Sequence, residues 1–245
     1  MIKEKIEIAY EFYKGIMEYH GFTDDGRAKW LAETRISQAK IVLDNINEKF
    51  NFDKIICVET GSSCKWEGDG AFGAFLARAV KESGGSFHSV DINEEYNNKA
   101  KELFDQFVPG LDLHIKTQDS VKFLEELEIS PNLVHLDSMD LHIEDPLPSA
   151  LHGWLEFVAL KDKMPSGSII IIDDNYLKST MIEWIVRGQD GPDDIREVRQ
   201  YVIDYPIIGK GAHIYQWCQK EETDWDIIGN HYDAGPNVKI LIQKR

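Results

Sequence analysis

The sequence predicts an α/β protein built on a doubly wound parallel sheet, and three observations support that prediction. Short apolar runs alternate with helical stretches from residue 54 onward, which is the pattern of strands joined by crossover helices. Right-handed crossovers then place helices on both faces of the sheet. The last two apolar runs follow each other with only a turn between them, and they predict a terminal antiparallel hairpin.

The first 52 residues show helical periodicity and no strand signal. Their apolar residues form two sets separated by the turn HGFTDDGR, namely Ile2, Ile6, Tyr10, Tyr13 and Met17, then Trp30, Leu31, Ile36, Val42 and Ile46. We therefore divide the chain into an N-terminal helical addition over residues 1–52 and a sheet domain over residues 53–245. The two helices are expected to cover part of the functional site or to form a homodimer interface.

Five parallel strands are predicted in order from KIICVE, SFHSVD, LDLHIK, NLVHLD and SIIIID. The helices between them come from AFGAFLARAVKES, EEYNNKAKELFDQF, SVKFLEEL and ALHGWLEFVALKDKM. Further along, YLKSTMIEWIVRG and DDIREVRQYVIDY predict two more helices, whereas the glycine-rich IIGKGAHIYQWCQ is ambiguous. The strands DWDIIGNHY and NVKILIQKR, joined by DAGP, form the terminal hairpin.

The net charge of the chain disfavours some classes of binding partner. Lys and Arg total 27 against 43 Asp and Glu, which gives a formal net charge of -16. Such a protein repels phosphate backbones and anionic lipid unless it carries a local basic patch, and no run of Lys or Arg supplies one. We therefore expect neither nucleic acid nor a membrane as a partner, and a small molecule as the substrate.

Cysteine usage and the N-terminus indicate a cytoplasmic protein. The three cysteines are odd in number and lack a C-x-x-C arrangement, so they predict reduced thiols and not a disulfide framework or a thiolate zinc site. The N-terminal MIKEKIEIAYEFYKG is charged and helical in pattern, unlike a signal peptide, and no apolar run approaches membrane-spanning length.

The first predicted strand leads into ETGSSCKWEGDGAFG at residues 59–73. Gly61 would let the backbone approach a ligand closely, and the following helix would present its N-terminal amides to that ligand. The glycine spacing of the dinucleotide fingerprint is not met, which counts against a pyrophosphate-binding site. An ordinary strand-to-helix loop is the alternative.

Acidic residues end the next two strands. Asp91 closes the second strand, where a doubly wound nucleotide site places an acid on the ribose hydroxyls. Asp119 follows the third strand, near the expected position of an adenine. Both residues also precede helical segments, so helix N-capping is the alternative for each.

The fourth and fifth strands end in a group of oxygen-bearing side chains, Asp137, Asp173, Asp174 and Asn175. The carboxyl ends of parallel strands are where ligands bind, and oxygen ligands are those that Mg²⁺ prefers. Two adjacent carboxylates also repel each other unless a cation or another partner offsets them. We therefore predict a divalent metal site here. The alternatives are that these acids cap loops or contact substrate directly.

A general base is predicted among the histidines. His142 stands five residues beyond Asp137 in the same loop and could take a proton from an acceptor. His213 and His231 are alternatives.

These residues together resemble the class I S-adenosylmethionine-dependent methyltransferases, which are Rossmann-like. The resemblance covers residues 54–245, and it rests on Glu59, Thr60, Gly61, Asp91, Asp119, the segment MPSG at 164–167 and the terminal hairpin. It implies S-adenosylmethionine as cofactor, held by Glu59, Thr60, Gly61, Ser62, Asp91, Asp119 and Asp137. Within this set Asp91 would bind the ribose and Asp119 would lie beside the adenine. The sequence departs from the family where further glycines commonly follow, because it has Ser62, Ser63 and the insertion CKWEGDG there.

The acidic strand ends are similar to those of metal-dependent O-methyltransferases, of the catechol type and their antibiotic- and sugar-modifying relatives. That resemblance implies Mg²⁺ held by Asp137, Asp174 and either Asp173 or Asn175. The predicted function is methyl transfer to a hydroxyl oxygen of a small molecule. An NAD-dependent oxidoreductase on a Rossmann-like fold and a non-catalytic cofactor-binding protein are the alternatives.

Overall fold

The structure is a computed structural model that describes residues 2–21, 26–62, 71–142, 145–177, 207–230 and 238–245. The helix predicted from YLKSTMIEWIVRG is wrong at its start, because Tyr176 and Leu177 belong to a strand. The rest of that segment, the helix predicted from DDIREVRQYVIDY, the turn of the terminal hairpin, Cys64 and His231 lie outside the described residues.

The strands are β1 (Ile56–Thr60), β2 (Ser86–Asp91), β3 (Leu113–Thr117), β4 (Leu133–Leu136), β5 (Ile169–Leu177), β6 (Ile207–Gly209), β7 (Trp225–Asn230) and β8 (Val238–Lys244). The helices are α1 (Ile2–Gly21), α2 (Gly26–Lys49), α3 (Ala71–Ser83), α4 (Glu94–Phe107), α5 (Ser120–Glu125), α6 (Leu147–Leu160) and α7 (Ala212–Cys218). Among these described helices, none has the length and apolar character needed to cross a bilayer.

The strands form one sheet in the order β3-β2-β1-β4-β5-β8-β7, and the short β6 pairs with β5 outside this path. Strands β1 to β5 run parallel, whereas β8 is antiparallel to both β5 and β7. The predicted fold class, five parallel strands closed by an antiparallel pair, is confirmed. The strand order reverses between β1 and β4, and in open sheets of this kind the crevice at that switch point is where ligands bind.

The central strands are buried on both faces because apolar residues occupy successive positions along them. Along β5, Ile169 and Ile171 belong to a core cluster under α1 to α4, while Ile170 and Ile172 belong to a second cluster under α5 to α7. This alternation follows from the two-residue period of a strand. Helices therefore cover both faces of the sheet, as the sequence predicts.

The N-terminal helices share the core of the sheet domain. Tyr13 of α1 is fully buried, and its ring lies 6.4 Å from the ring of Phe72 and 5.9 Å from that of Phe75, both on α3. Burial of aromatic side chains at this contact stabilises the attachment of residues 2–49 to the sheet.

Strand β5 is longer than predicted and contains a bulge. Ile172 pairs with Ile240 and Asn175 pairs with Val238, so the two residues between Ile172 and Asn175 oppose the single residue Lys239 on β8. Those two residues are the adjacent aspartates of SIIIIDDNYL. The bulge takes up one extra residue, and pairing with β8 resumes at Asn175, so the strand continues past its apolar run. Bulges of this kind redirect side chains next to functional sites. The ambiguous segment after residue 206 forms β6, a turn and α7.

Candidate functional site

The carboxyl ends of β1, β2 and β4 meet at Gly61. The Gly61 amide donates a hydrogen bond to the carbonyl of Val90 (2.9 Å), and the Asp137 amide donates one to the carbonyl of Thr60 (2.9 Å). Gly61 has a φ of 81°, and a Cβ built there would lie 2.4 Å from the carbonyl oxygen of Asp137. Only glycine allows the two backbones to approach this closely. Gly61 and Asp137 therefore lie side by side, which is what the strand order predicts.

Asp91 is fixed at the tip of β2. Its Oδ2 accepts a hydrogen bond from the amide of Ser62 (3.0 Å), and its Oδ1 accepts one from the amide of Asn93 (2.7 Å). The Ser62 hydroxyl in turn donates to Oδ1 of Asn97 (2.5 Å), a buried residue of α4 that sequence reasoning missed. A carboxylate offers about four lone-pair positions, so Asp91 retains acceptor capacity for a ligand.

Asp119 caps α5. Its Oδ1 accepts a hydrogen bond from the amide of Lys122 (2.9 Å), which satisfies one of the free donors of the first helical turn. The capping role proposed from sequence is therefore present. A contact between Asp119 and an adenine stays a prediction.

A row of buried polar side chains crosses the middle of the sheet beneath these strand ends. The Ser89 hydroxyl donates to Glu59 Oε2 (3.2 Å), and Glu59 Oε1 lies 3.4 Å from Nδ1 of His135. The other ring nitrogen of His135, Nε2, lies 3.5 Å from Oδ2 of Asp173. Glu59 thus faces neighbouring strands from inside the sheet, and the structure links it to Asp173 through a histidine that sequence reasoning missed.

The two carboxylates determine the charge of His135. Burial alone would lower the pKa of His135, but its contacts with Asp173 and Glu59 outweigh burial and raise it to about 9. Burial would raise the pKa of Asp173, yet the neighbouring Lys239 and His135 hold it well below its usual range. At neutral pH His135 is therefore an imidazolium beside the carboxylate of Asp173.

Lys239 completes the row from the antiparallel side of the sheet. Its ammonium donates to Oδ2 of Asp173, and it lies 4.3 Å from the ring centroid of Phe72. Lys239 is the residue of β8 that opposes the bulge, so the bulge places Asp173 against a cation. This ammonium offsets the charge of a buried carboxylate for which the sequence alone predicted a metal ion.

A second buried lysine joins the other two acids. Lys210 follows β6, its side chain is 0% exposed, and its Nζ donates to Oδ1 of Asp137 (2.8 Å) and Oδ2 of Asp174 (3.0 Å). Burial would lower the pKa of Lys210, but Asp137 and Asp174 raise it above its usual value. Burial raises the pKa of Asp137 to about 7, although Lys210 opposes that shift.

Asn175 has a structural role in this arrangement. Its Nδ2 donates to the carbonyls of Ile172 and Asp173 (both 2.9 Å), and its Oδ1 accepts from the amide of Gly211 (2.6 Å). The side chain thereby closes the bulge and attaches it to the turn that carries Lys210.

The predicted metal site does not fit the residues as the structure arranges them. Ligand atoms of His135, Asp137 and Asp173 do lie within 4.8 Å of one another. However, Asp173 contacts the ammonium of Lys239, and Asp137 contacts that of Lys210. Ammonium groups thus occupy the cation positions beside these carboxylates.

A second polar cluster supports the loop after β4. The Ser138 hydroxyl donates to Oε1 of the fully buried Glu156 on α6 (2.5 Å), and the same oxygen lies 3.5 Å from Nε2 of His152. His152 also lies 3.0 Å from the hydroxyl of Ser120 at the start of α5. Sequence reasoning missed this cluster, which connects the loop containing Ser138 to the helix that Asp119 caps.

Two of the histidines predicted as bases, His142 and His213, belong to the described residues. His142 is exposed in the loop after β4, where its carbonyl accepts a hydrogen bond from the amide of Asp145 (3.1 Å). His213 lies on α7 and lines a cavity of about 490 Å³ with Trp154 and Trp217. A catalytic role for His142 stays a prediction.

Solved structures of methyltransferases share this architecture. The magnesium protoporphyrin IX methyltransferase of Synechocystis PCC 6803 with bound SAH aligns with a TM-score of 0.55 and 11% identity, over 94% of this chain and 93% of that chain. The SAH-bound Podospora anserina methyltransferase PaMTH1 aligns with a TM-score of 0.51 and 12% identity, over 96% of this chain and 88% of that chain. At such low identity the likeness concerns the Rossmann-like fold alone.

Sequence comparisons do not assign the chain to a protein family. No protein-family model matches the chain, and no curated protein matches it.

Proposed function

We propose that this chain is an S-adenosylmethionine-dependent methyltransferase that methylates a hydroxyl oxygen of a small molecule. The observation that carries the proposal is the junction at Gly61, where the first glycine turn, the acid ending β2 and the acid following β4 converge at the switch point of the sheet. The shared fold with SAH-bound methyltransferases supports the same function.

The residues around the junction suit a cofactor of this kind. Gly61 leaves the backbone bare beside Asp137, and Asp91 presents a carboxylate that can accept hydrogen bonds from ribose hydroxyls. S-adenosylmethionine supplies a methyl group on a positively charged sulfur, and transfer breaks the carbon–sulfur bond with the electron pair remaining on sulfur.

Asp137 and Asp174 are the parts of the cluster that reach solvent. Their side chains are 17% and 15% exposed, whereas Lys210 behind them is fully buried. An acceptor hydroxyl in front of this pair could donate its proton to the carboxylate of Asp137, whose pKa of about 7 suits a general base at neutral pH. His142, the base predicted from sequence, is the alternative.

The substrate class rests on charge. A net charge of -16 disfavours a nucleic-acid acceptor, and the Synechocystis protein is named for a small-molecule substrate. A cytoplasmic location and a homodimer through α1 and α2 stay predictions from sequence.

The test is a calorimetric titration of the protein with SAH, S-adenosylmethionine and NAD. We expect both S-adenosyl compounds to bind and NAD not to bind. At one hundred times its dissociation constant a ligand adds about 2.7 kcal/mol to the free energy of unfolding, so a thermal melt should confirm the binding. D91A should weaken SAH binding at least tenfold, while D112A, which removes an exposed carboxylate before β3, should leave it unchanged. Binding of NAD alone would instead support the oxidoreductase.

A further inference from the structure

We propose that Lys210 is the built-in cation of the acceptor site, where its ammonium holds Asp137 and Asp174 side by side in place of a divalent metal. The inference rests on the proposed function where it calls this an acceptor site. The contacts of Lys210 with the two carboxylates do not depend on that function. Lys210 is a positioning residue, because it acts on an acceptor through the two carboxylates.

The backbone around Lys210 is fixed on both sides by close contacts. Gly209 has a φ of 121°, and a Cβ there would lie 2.0 Å from the carbonyl oxygen of Asp174. Gly153 of α6 permits a similar approach, because its Cβ would lie 2.5 Å from the carbonyl oxygen of Lys210. Together with the bond from the Gly211 amide to Asn175, these contacts direct the lysine into the acid pair.

The ammonium of Lys210 donates a hydrogen bond to each of the two carboxylates and offsets their charge. Nζ lies at hydrogen-bond distance from one oxygen of each acid, 2.8 Å for Asp137 and 3.0 Å for Asp174. A fully buried ammonium is costly unless it is paired, and unpaired neighbouring carboxylates repel each other. Each group therefore compensates for the other, and the acids keep enough exposure to meet an acceptor.

A divalent ion that bridged the same oxygens would compete with this ammonium. It would have to lie beside Nζ of Lys210 in a buried setting, where like charges repel strongly. Binding of the ion thus requires displacement of a lysine whose backbone the fold has fixed. Removing the ammonium should leave two adjacent carboxylates that attract a divalent ion.

The experiment measures Mn²⁺ binding by electron paramagnetic resonance on protein that has been dialysed against a chelator. Wild type should show no site tighter than millimolar, whereas K210M should bind one Mn²⁺ at least tenfold more tightly. K163M is the matched control, because Lys163 is a partly buried lysine whose ammonium, among the residues that the structure describes, donates to the carbonyls of Leu124, Glu125 and Leu127 and to no carboxylate. It should bind Mn²⁺ no better than wild type.

A charge-balanced variant protects the test against misfolding of K210M. K210M/D174N removes one cation and one anion, and it should fold without gaining the Mn²⁺ site. Tight stoichiometric binding of Mn²⁺ to wild type would overturn the proposal. A folded K210M that binds Mn²⁺ no better than wild type would overturn it as well, and so would a Mn²⁺ site in K163M.

Turnover distinguishes this proposal from the proposed function. If methyl transfer occurs, wild type should remain active in chelator, and K210M should lose at least tenfold in kcat with a smaller change in the KM for S-adenosylmethionine. If SAH binds to none of the proteins, the proposed function fails while the Mn²⁺ result still decides the role of Lys210. Loss of wild-type activity in chelator, restored by Mg²⁺, would support the metal predicted from sequence and overturn the built-in cation.

Discussion

Gly61 and Asp137 approach each other so closely that a Cβ at position 61 would lie 2.4 Å from the carbonyl oxygen of Asp137. The contact joins the ends of β1 and β4, the two strands between which the sheet reverses its order. Any side chain at position 61 must therefore separate the strand ends that form the proposed cofactor site.

The variant G61A tests this contact. The clash and the φ of 81° should destabilise the protein by roughly 1–3 kcal/mol and should reduce SAH affinity at least tenfold. Urea unfolding and calorimetry would measure the two effects. G15A is the matched control, since a Cβ at Gly15 in α1 meets no atom within 4 Å. It should gain up to about 1 kcal/mol of stability from helix propensity and leave SAH binding intact.

Asp119 offers a way to separate capping from ligand binding. Asparagine caps helices about as well as aspartate, whereas alanine costs roughly 1 kcal/mol. We therefore expect D119N to have the same midpoint of urea unfolding as wild type, and D119A to have a lower one. If Asp119 also accepts a hydrogen bond from an adenine amino group, D119N should still weaken SAH binding several-fold. Equal SAH affinity for D119N and wild type would leave Asp119 as a cap only.

His135 makes the stability of the fold depend on pH. Its pKa of about 9 in the folded protein lies above the value near 6.5 of an unperturbed histidine. The stabilisation is therefore complete below about pH 6.5 and is lost as the pH rises through 9. The shift corresponds to roughly 3 kcal/mol.

The measurement compares the free energies of unfolding of wild type and H135N in urea from pH 6 to pH 10. The advantage of wild type over H135N should shrink by roughly 3 kcal/mol across this range. A difference that stays constant with pH would show that His135 is neutral between Glu59 and Asp173.

The sequence predicted the sheet and the positions of several strand-end residues because the signals were local. Apolar runs mark buried strands, and the carboxyl ends of parallel strands meet at one edge, so the positions of Gly61, Asp91, Asp137 and Asp173 followed from strand order. The same reasoning placed the two adjacent aspartates at the end of a strand. They lie instead within a bulge, whose register depends on pairing with a segment some 65 residues away.

The cations of the site were missed for a different reason. Lys210 stands between two glycines in a segment that the sequence left ambiguous, because nothing local reveals that β6 pairs with β5 and carries the following turn into the interior. Lys239 and His135 did leave a signal, since each interrupts an apolar strand, and a charged residue inside a buried strand implies a partner. Sequence alone could not identify the partner as Asp173.

The last prediction concerns the general base. If Asp137 takes the proton of the acceptor, the rate should rise with pH and reach half its maximum near pH 7, where this carboxyl ionises. D137N should lose roughly 10²–10⁴ in kcat together with that pH dependence. D174N is the matched control, because it also removes one partner of Lys210 yet leaves Asp137 in place. It should retain the pH dependence even if its rate falls. H142N should retain both the rate and the profile, and a loss of the pH dependence in H142N alone would assign the base to His142.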